Sequence, residues 1–300
     1  MRAGLHSWSF RERFRADPSF GIRDFIAIAA DLGFTGVELL TGMAGGDTGH
    51  LGTAEPRAVE AIVRFAESRG VRVDSFSTYN DFAHVPNEAW RLANIAYVKE
   101  WLALAGACGV PNIRMLTGYH VRGASQVRLQ RLTLDGIREC APHAERARVN
   151  MALENHSSVF LEAEDILWLI AEIGSPRLTT CPDPTNWSAA FLAGTADAAE
   201  RELVFRGVEL VAPRATQSHL KIAGITADGH LQGFGADGLG RLIRIYRDAG
   251  YAGALAFEHV GPGDVQRELA LAKVIVDRAI AVDALPTTPA AATATARPGA

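Results

Sequence analysis

Residues 28–40 read IAADLGFTGVELL, and the order of residue types in them sets the architecture. A helical stretch runs into Asp31-Leu32-Gly33, where a glycine just past the last helical residue supplies the left-handed cap that ends a helix. Three residues on, Gly36 opens a run of strand length that ends at Leu40. The same joint returns as SRGVRVDSF (68–76), ACGVPNIRM (107–115) and DAGYAGALAFE (248–258). Four copies of helix, glycine cap, short turn and apolar strand predict helices alternating with parallel strands.

Working outward from these joints, strands are predicted at 5–10, 36–40, 71–77, 112–116, 150–155, 178–182, 215–221 and 254–259. Helices are predicted at 21–33, 55–69, 87–108, 125–148, 162–173, 197–211, 237–249 and 264–281. Eight of each within residues 1–283 give an α/β chain folded as a single (β/α)8 TIM barrel, an architecture that spends about 250 residues on one domain. An open doubly wound sheet is the rival, but no GxGxxG or P-loop follows the first strand. Residues 284–300, ALPTTPAAATATARPGA, hold too little apolar side chain to offset the entropy of ordering and are expected to be a disordered tail.

Of the 300 residues, 48% are hydrophobic and 21% charged, enough to build a sizeable core. A formal net charge of −4 gives no overall attraction to phosphate backbones or anionic lipid, so neither nucleic acid nor membrane is the expected partner. Cys108, Cys140 and Cys181 form no CxxC pair, which argues against a disulfide framework or a structural zinc site. The N-terminal MRAGLHSWSF has no apolar signal core, and a cytoplasmic protein is expected.

Strands buried on both faces tolerate polar residues at their ends only where these meet partners or a metal, and a barrel assembles its site at the C-terminal strand ends. Strands five to eight end in ALEN with Glu154, CPDPTN with Asp183, SHLK with His219 and AFEH with Glu258. Each lies about one βαβ repeat from the next, so the four converge above the barrel. Singly, each is as well explained as a loop cap or ion-pair partner. Together, four ionisable groups ending successive buried strands repel or stay desolvated without a cation. Three carboxylates and an imidazole suit one hard or borderline divalent ion, Mn²⁺ first, with Mg²⁺, Co²⁺ or Zn²⁺ as alternatives.

Two-residue alternation places His156 on the face of Glu154 and Lys221 on that of His219, as substrate-binding or acid/base groups. His6 shares its parity with Trp8 and Phe10 and is expected to furnish a donor and an apolar wall to the substrate, with Asn186 and Trp187 as further contacts. His259 points away from Glu258 and reads as structural. His50, His84, His120 and His143 have no chemical context and are expected at the surface. TGMAGGDTGHLG (41–52) reads as a flexible active-site loop that could serve as a lid.

GLHSWSF, GFTGVEL, ALENH, CPDPTN, SHLK and FEH together resemble the xylose-isomerase-like barrels over about residues 4–281. That group includes tagatose/psicose 3-epimerases, hydroxypyruvate isomerase, inosose dehydratase and endonuclease IV. The resemblance implies a metal held by Glu154, Asp183, His219 and Glu258, with Glu154 and Glu258 as the acid/base pair. Three features depart from the pattern: Ile222 follows Lys221 where the family often reads HxKD, no arginine stands at 220–225 where the ketose epimerases usually place one after the histidine, and Asn186 stands where they tend to have a second histidine. The leading expectation is therefore a metal-dependent isomerase or epimerase that moves a proton through an enediolate of a sugar or keto-polyol. The alternative is a lyase of the same fold, an inosose or dehydroshikimate dehydratase or the barrel subunit of a C-glycoside deglycosidase, which works with a small second subunit. A homo-oligomer is expected otherwise. Asp228-Gly229-His230 resembles the DxH of endonuclease IV, but strand three ends DSFSTYN without the histidine that a three-zinc cluster needs. A nuclease and a non-catalytic sugar-binding barrel are the weaker readings.

Overall fold

The computed structural model describes residues 1–83, 87–156 and 159–283, so His84 and the 284–300 tail lie outside the described residues. Eight strands, β1 (Arg2–His6), β2 (Gly36–Leu40), β3 (Arg72–Ser77), β4 (Asn112–Met115), β5 (Asn150–Glu154), β6 (Leu178–Cys181), β7 (Ser218–Ile222) and β8 (Ala254–His259), form one parallel sheet. Their order is β6-β5-β4-β3-β2-β1-β8-β7. The two edges meet through the bridge Thr180↔Ala215 and the bonds from Thr216 N to Thr180 O and His219 N to Pro182 O, 3.1 and 3.0 Å. The fold is the single (β/α)8 barrel that the joints predict.

Around the sheet run α2 (Ile22–Asp31), α3 (Pro56–Ser68), α4 (Glu88–Ala107), α5 (Gln126–Ala147), α6 (Ala163–Ile173), α8 (Ala198–Val211), α9 (Gly235–Asp248) and α10 (Val265–Asp283). Two short helices, α1 (Arg11–Ala16) and α7 (Ala189–Ala193), ride on the loops above the strands. Among the described residues no helix is long and apolar enough to cross a membrane.

The four quoted joints are four copies of one hydrogen-bonded cap. Phe34, Val71, Val110 and Tyr251 each return an N–H to the carbonyl five residues back, on Ala29, Ala66, Ala105 and Tyr246, at 2.8 to 2.9 Å. The glycine before each has a positive φ, and the residue after it is buried, so the turn ends the helix and packs the first apolar side chain in one move.

The first strand departs from its predicted 5–10 span. It ends at His6, and Ser7–Phe10 form a 3-10 turn capped by His6, whose Nδ1 accepts from Trp8 N at 2.9 Å. Both serines of this turn tie to neighbouring strands: Ser7 Oγ accepts from Leu40 N, and Ser9 Oγ accepts from His259 N while donating to Phe257 O. These ties bend the chain across the barrel mouth, so His6, Trp8 and Phe10 do not share a face. Phe10 enters the core beside Phe25, and Trp8 stands half-buried at the mouth. β7 likewise starts at Ser218 rather than 215, because a 3-10 turn over Ala212–Arg214 delivers the chain to it.

In the 41–52 loop the glycines serve close packing. A Cβ on Gly42 (φ +82°) would stand 2.5 Å from Gly49 N and 2.6 Å from Asp47 O. Tyr97 of α4 staples the loop, its hydroxyl donating to Gly42 O at 2.8 Å. Gly42→Ala should therefore cost backbone strain of about 1–2 kcal/mol plus roughly 1–3 kcal/mol of overpacking. Gly52→Ala, with a φ of +73° but open space around its Cβ, should cost the strain alone. Urea melts of the two variants check this; equal losses would mean that the Gly42–Gly49 contact is not what holds the loop.

Candidate active site

Glu154 closes β5, His219 is the second residue of β7, and Glu258 is the last but one of β8; all three are buried. Asp183, just past β6, caps a 3-10 turn at Pro184–Asn186, its Oδ1 accepting from Thr185 N at 2.9 Å and Thr185 Oγ1 at 2.7 Å. One carboxylate oxygen is thus spent on the turn and the other, Oδ2, faces the site. Donor atoms of Glu154, Asp183 and His219 all lie within 4.8 Å of one another. Glu258 joins them through His219, with 3.5 Å between its Oε1 and Nδ1. The structure therefore brings the predicted quartet to one place, three members closely and the fourth at its border.

Two charged residues that the strand-end search passed over complete the cluster. Glu38, inside the quoted GVELL of β2, is fully buried, its Oε2 3.1 Å from His219 Nε2 and its Oε1 3.5 Å from His6 Nε2. Gln217 Nε2 donates to the same carboxylate. A β-bulge sits at this point, since Val37 pairs with Val73 but Glu38 with Ser75, and such an irregularity re-aims the following side chain. Arg114 of β4, 1% exposed, places Nε 2.5 Å from Glu154 Oε2 and donates from Nη1 to Thr78 O at 2.7 Å. Its guanidinium lies over the Tyr79 ring, 4.8 Å from the centroid. The signal for both was present: a charged residue within a run buried on both faces needs a partner wherever in the strand it stands.

The electrostatics follow from burial. Burial opposes ionisation of Glu154, but Arg114, then His219 and His156, hold its carboxyl well below the usual range. Burial also opposes the charge of Glu38, and His219 and His6 outweigh it. For His219, burial is overcome by Cys181 and the carboxylates of Glu38, Glu154 and Glu258, which push it well above an ordinary imidazole. Lys221 is desolvated, yet Asp183, Glu258 and Glu154 raise it, so its ammonium persists; Nζ lies 2.8 Å from Asp183 Oδ2 and donates to Asn186 Oδ1. His156 is lowered by burial, partly offset by Glu154, which keeps it neutral at physiological pH.

These residues fit a divalent cation. Four buried carboxylates, Glu38, Glu154, Asp183 and Glu258, face two permanent cations, Arg114 and Lys221, and the raised imidazole of His219, which still leaves negative charge to be neutralised. Glu154 Oε2 and Asp183 Oδ2 are buried, and among the described residues they are met by the ion pairs to Arg114 and Lys221 rather than by an aligned neutral donor. Oxygen donors with one imidazole match Mn²⁺, Mg²⁺ or Co²⁺, and Zn²⁺ accepts the same set.

The remaining predicted residues divide. His6 is buried against the cluster, its ring edge-on to His219 at 5.3 Å. Asn186 reaches in, Nδ2 donating to Glu154 Oε1 at 2.9 Å. His156 faces Tyr79 and Tyr119, ring centroids 6.2 and 6.5 Å away, with Nδ1 buried and without a partner among the described residues. Trp187, expected against the substrate, turns outward instead: its Nε1 donates to Leu161 O and its ring packs where a Cβ on Gly207 of α8 would be. The 3-10 turn after Asp183 points Asn186 inward and its neighbour away. His259 pairs with Glu268 of α10 at 2.7 Å, behind the sheet, as the alternation requires. His50 corrects the surface expectation, because its ring stacks face to face on Phe14 at 4.0 Å. Asp228 and His230 lie on a loop, 3.7 Å apart, and join neither buried donor set found among the described residues.

No curated protein matches the chain in sequence. Solved structures match over nearly the whole length. An L-ribulose 3-epimerase is 15% identical, with 94% of this chain and 95% of that one covered at a TM-score of 0.69. A D-psicose 3-epimerase solved in the presence of D-fructose is 14% identical, with 94% and 98% covered at 0.63. AsbF from Bacillus anthracis, a probable 3-DHS dehydratase of petrobactin synthesis, is 16% identical, with 93% and 99% covered at 0.66. At such identities the likeness is one of fold. The model of the xylose isomerase-like TIM barrels matches residues 26–275, and the chain belongs to that family.

Proposed function

We propose that this barrel is a divalent-metal-dependent isomerase or epimerase that moves a proton on a sugar, keto-polyol or related hydroxycarbonyl compound. The observation that carries the reading is the meeting of Glu154, Asp183 and His219 donor atoms within 4.8 Å at the barrel mouth, with Glu258 at its edge. A divalent ion bound there supplies Lewis-acid stabilisation of the charge that develops on substrate oxygens, worth several kcal/mol. The epimerases and the dehydratase among the structural neighbours support an enzyme of this general class.

The chain's own groups are unequal in what they can do. Glu154 is pinned by Arg114, Asn186 and His219, so it anchors more readily than it moves. Glu258 makes only longer contacts, 3.5 Å to His219 and 3.8 Å to His6, and is the better placed base. His156, neutral and with no partner for Nδ1 among the described residues, stands on the β3–β4 side of the mouth, across the barrel from β8, and can accept a proton there. Glu38 orients His219 from behind, fixing which nitrogen faces the carboxylates, as a carboxylate behind a ligating histidine does. One observation favours the lyase reading: Lys221 keeps its charge beside the site and can hold the negative charge that develops on a departing oxygen.

In D₂O, protein loaded with Mn²⁺ and offered ketoses, inososes and 3-keto-glycosides should incorporate deuterium at carbon, in a rearranged product for the isomerase and with loss of water or an aglycone for the lyase. Glu258→Gln should slow that exchange about 10²- to 10⁴-fold. Complete retention of the substrate hydrogen across the whole panel would sink the proton-transfer scheme.

Metal titrations of variants separate the roles. His219→Ala and Asp183→Ala should lose Mn²⁺, Lys221→Ala and His156→Ala should keep it and lose turnover, and Glu38→Gln should bind it about 10- to 100-fold more weakly. Wild-type affinity in Glu38→Gln would leave Glu38 a packing residue only.

A further inference from the structure

β1 lies between β2 and β8, and the register sets Leu5 against Val37 on one side and against Phe257 on the other. The next residue of each strand is ionisable, so Glu38, His6 and Glu258 stand side by side across the three strands, all buried. Glu38 lies behind His219, and Glu258 is the proposed base, so the middle residue touches both halves of the site.

The His6 ring has a defined proton. Its Nδ1 accepts from Trp8 N at 2.9 Å, and a ring nitrogen that accepts carries no hydrogen, so the hydrogen is on Nε2. Nε2 has Glu38 Oε1 at 3.5 Å and Glu258 Oε1 at 3.8 Å, and among the described residues it makes no aligned hydrogen bond elsewhere. Glu38 Oε1 is likewise without an aligned donor, its other oxygen being taken by Gln217 and His219. With the residue 1% exposed, this N–H is turned to carboxylates and not to the open mouth.

The turn that fixes the ring also grips the two flanking strands. Ser7 Oγ accepts from Leu40 N, two residues past Glu38, and Ser9 Oγ bonds Phe257 O and His259 N, the two neighbours of Glu258. Trp8 N thus sets the tautomer while the serines beside it hold the strands that carry the acceptors.

We propose that His6 is a positioning residue and not a substrate ligand: its Nε2 proton is shared between Glu38 and Glu258 and holds both carboxylates in place. Glu258 then keeps Oε1 toward His6 and His219 and has Oε2 left for the substrate proton, a consequence that rests on the proton-transfer reading above. The place of the His6 proton depends on neither metal nor substrate and is measured without them.

Full-length protein stripped with EDTA and labelled with ¹⁵N-histidine is followed by NMR, His6 being assigned by the signal lost in both His6→Asn and His6→Gln. The expected signal has its hydrogen on Nε2 and moves in Glu38→Gln and in Glu258→Gln alike. A hydrogen on Nδ1, or a signal indifferent to either carboxylate, would overturn the proposal. Mn²⁺ titration then separates positioning from capping, because a glutamine amide nitrogen falls near Nε2 and an asparagine oxygen near Nδ1. Positioning predicts that His6→Gln binds Mn²⁺ nearly as the wild type does, whereas His6→Asn binds it about 10-fold more weakly, both with unchanged circular dichroism. The reverse order, or equal affinities, would contradict it and leave His6 as the cap of its turn. A wild type without Mn²⁺ affinity would sink the metal reading, and the NMR result would still decide where the proton is.

Discussion

Burying like charges governs this molecule. Glu38, Glu154, Asp183 and Glu258 meet buried at the mouth of the barrel, where an uncompensated carboxylate costs several kcal/mol. Arg114 and Lys221 answer part of that charge, and Thr185, Asn186 and Gln217 satisfy individual oxygens. The compensating groups come from β4, the turn after β6, and β7 with the residue before it, so the barrel must close before the cluster is tolerable. The charge that remains is the physical reason to expect a cation, and the proposed site for it lies between β5, β6, β7 and β8.

The backbone delivers these groups at one level. The repeated glycine caps end helices and start strands with little variation, which keeps the strand ends in register around the barrel. At β1 the chain turns across the mouth on the serines of Ser7–Phe10, so the loop side carries rings where the sheet side carries charges. A charged floor flanked by an aromatic wall is the chemical asymmetry that a substrate would meet.

What could be read from the residues alone followed how local each determinant is. The helix–glycine–strand joint is fixed within a few residues, and most strand and helix limits predicted from it lie within a residue or two of those observed. β1 was misplaced because the bonds that end it run from Ser7 to Leu40 and from Ser9 to Phe257, partners distant in sequence. The quartet at strands five to eight was visible because its members end their strands. Glu38 and Arg114 are less legible because they stand inside β2 and β4 rather than at a strand end. Trp187 and His50 show a second limit: a 3-10 turn decides which way a side chain points, and a ring stack forms between residues far apart in the chain.

The central claim is that the buried carboxylates hold a single divalent ion. Anomalous scattering from crystals grown with Mn²⁺, measured on both sides of the manganese edge, tests it most directly. The account predicts one peak per chain, bonded by Glu154, Asp183, His219 and Glu258, with Glu38 touching the far nitrogen of His219 and Arg114 displaced from or sharing Glu154. No peak at full Mn²⁺, with Arg114 and Lys221 still closing the carboxylates, would contradict it, as would a peak bonded by His6 and Glu38 instead.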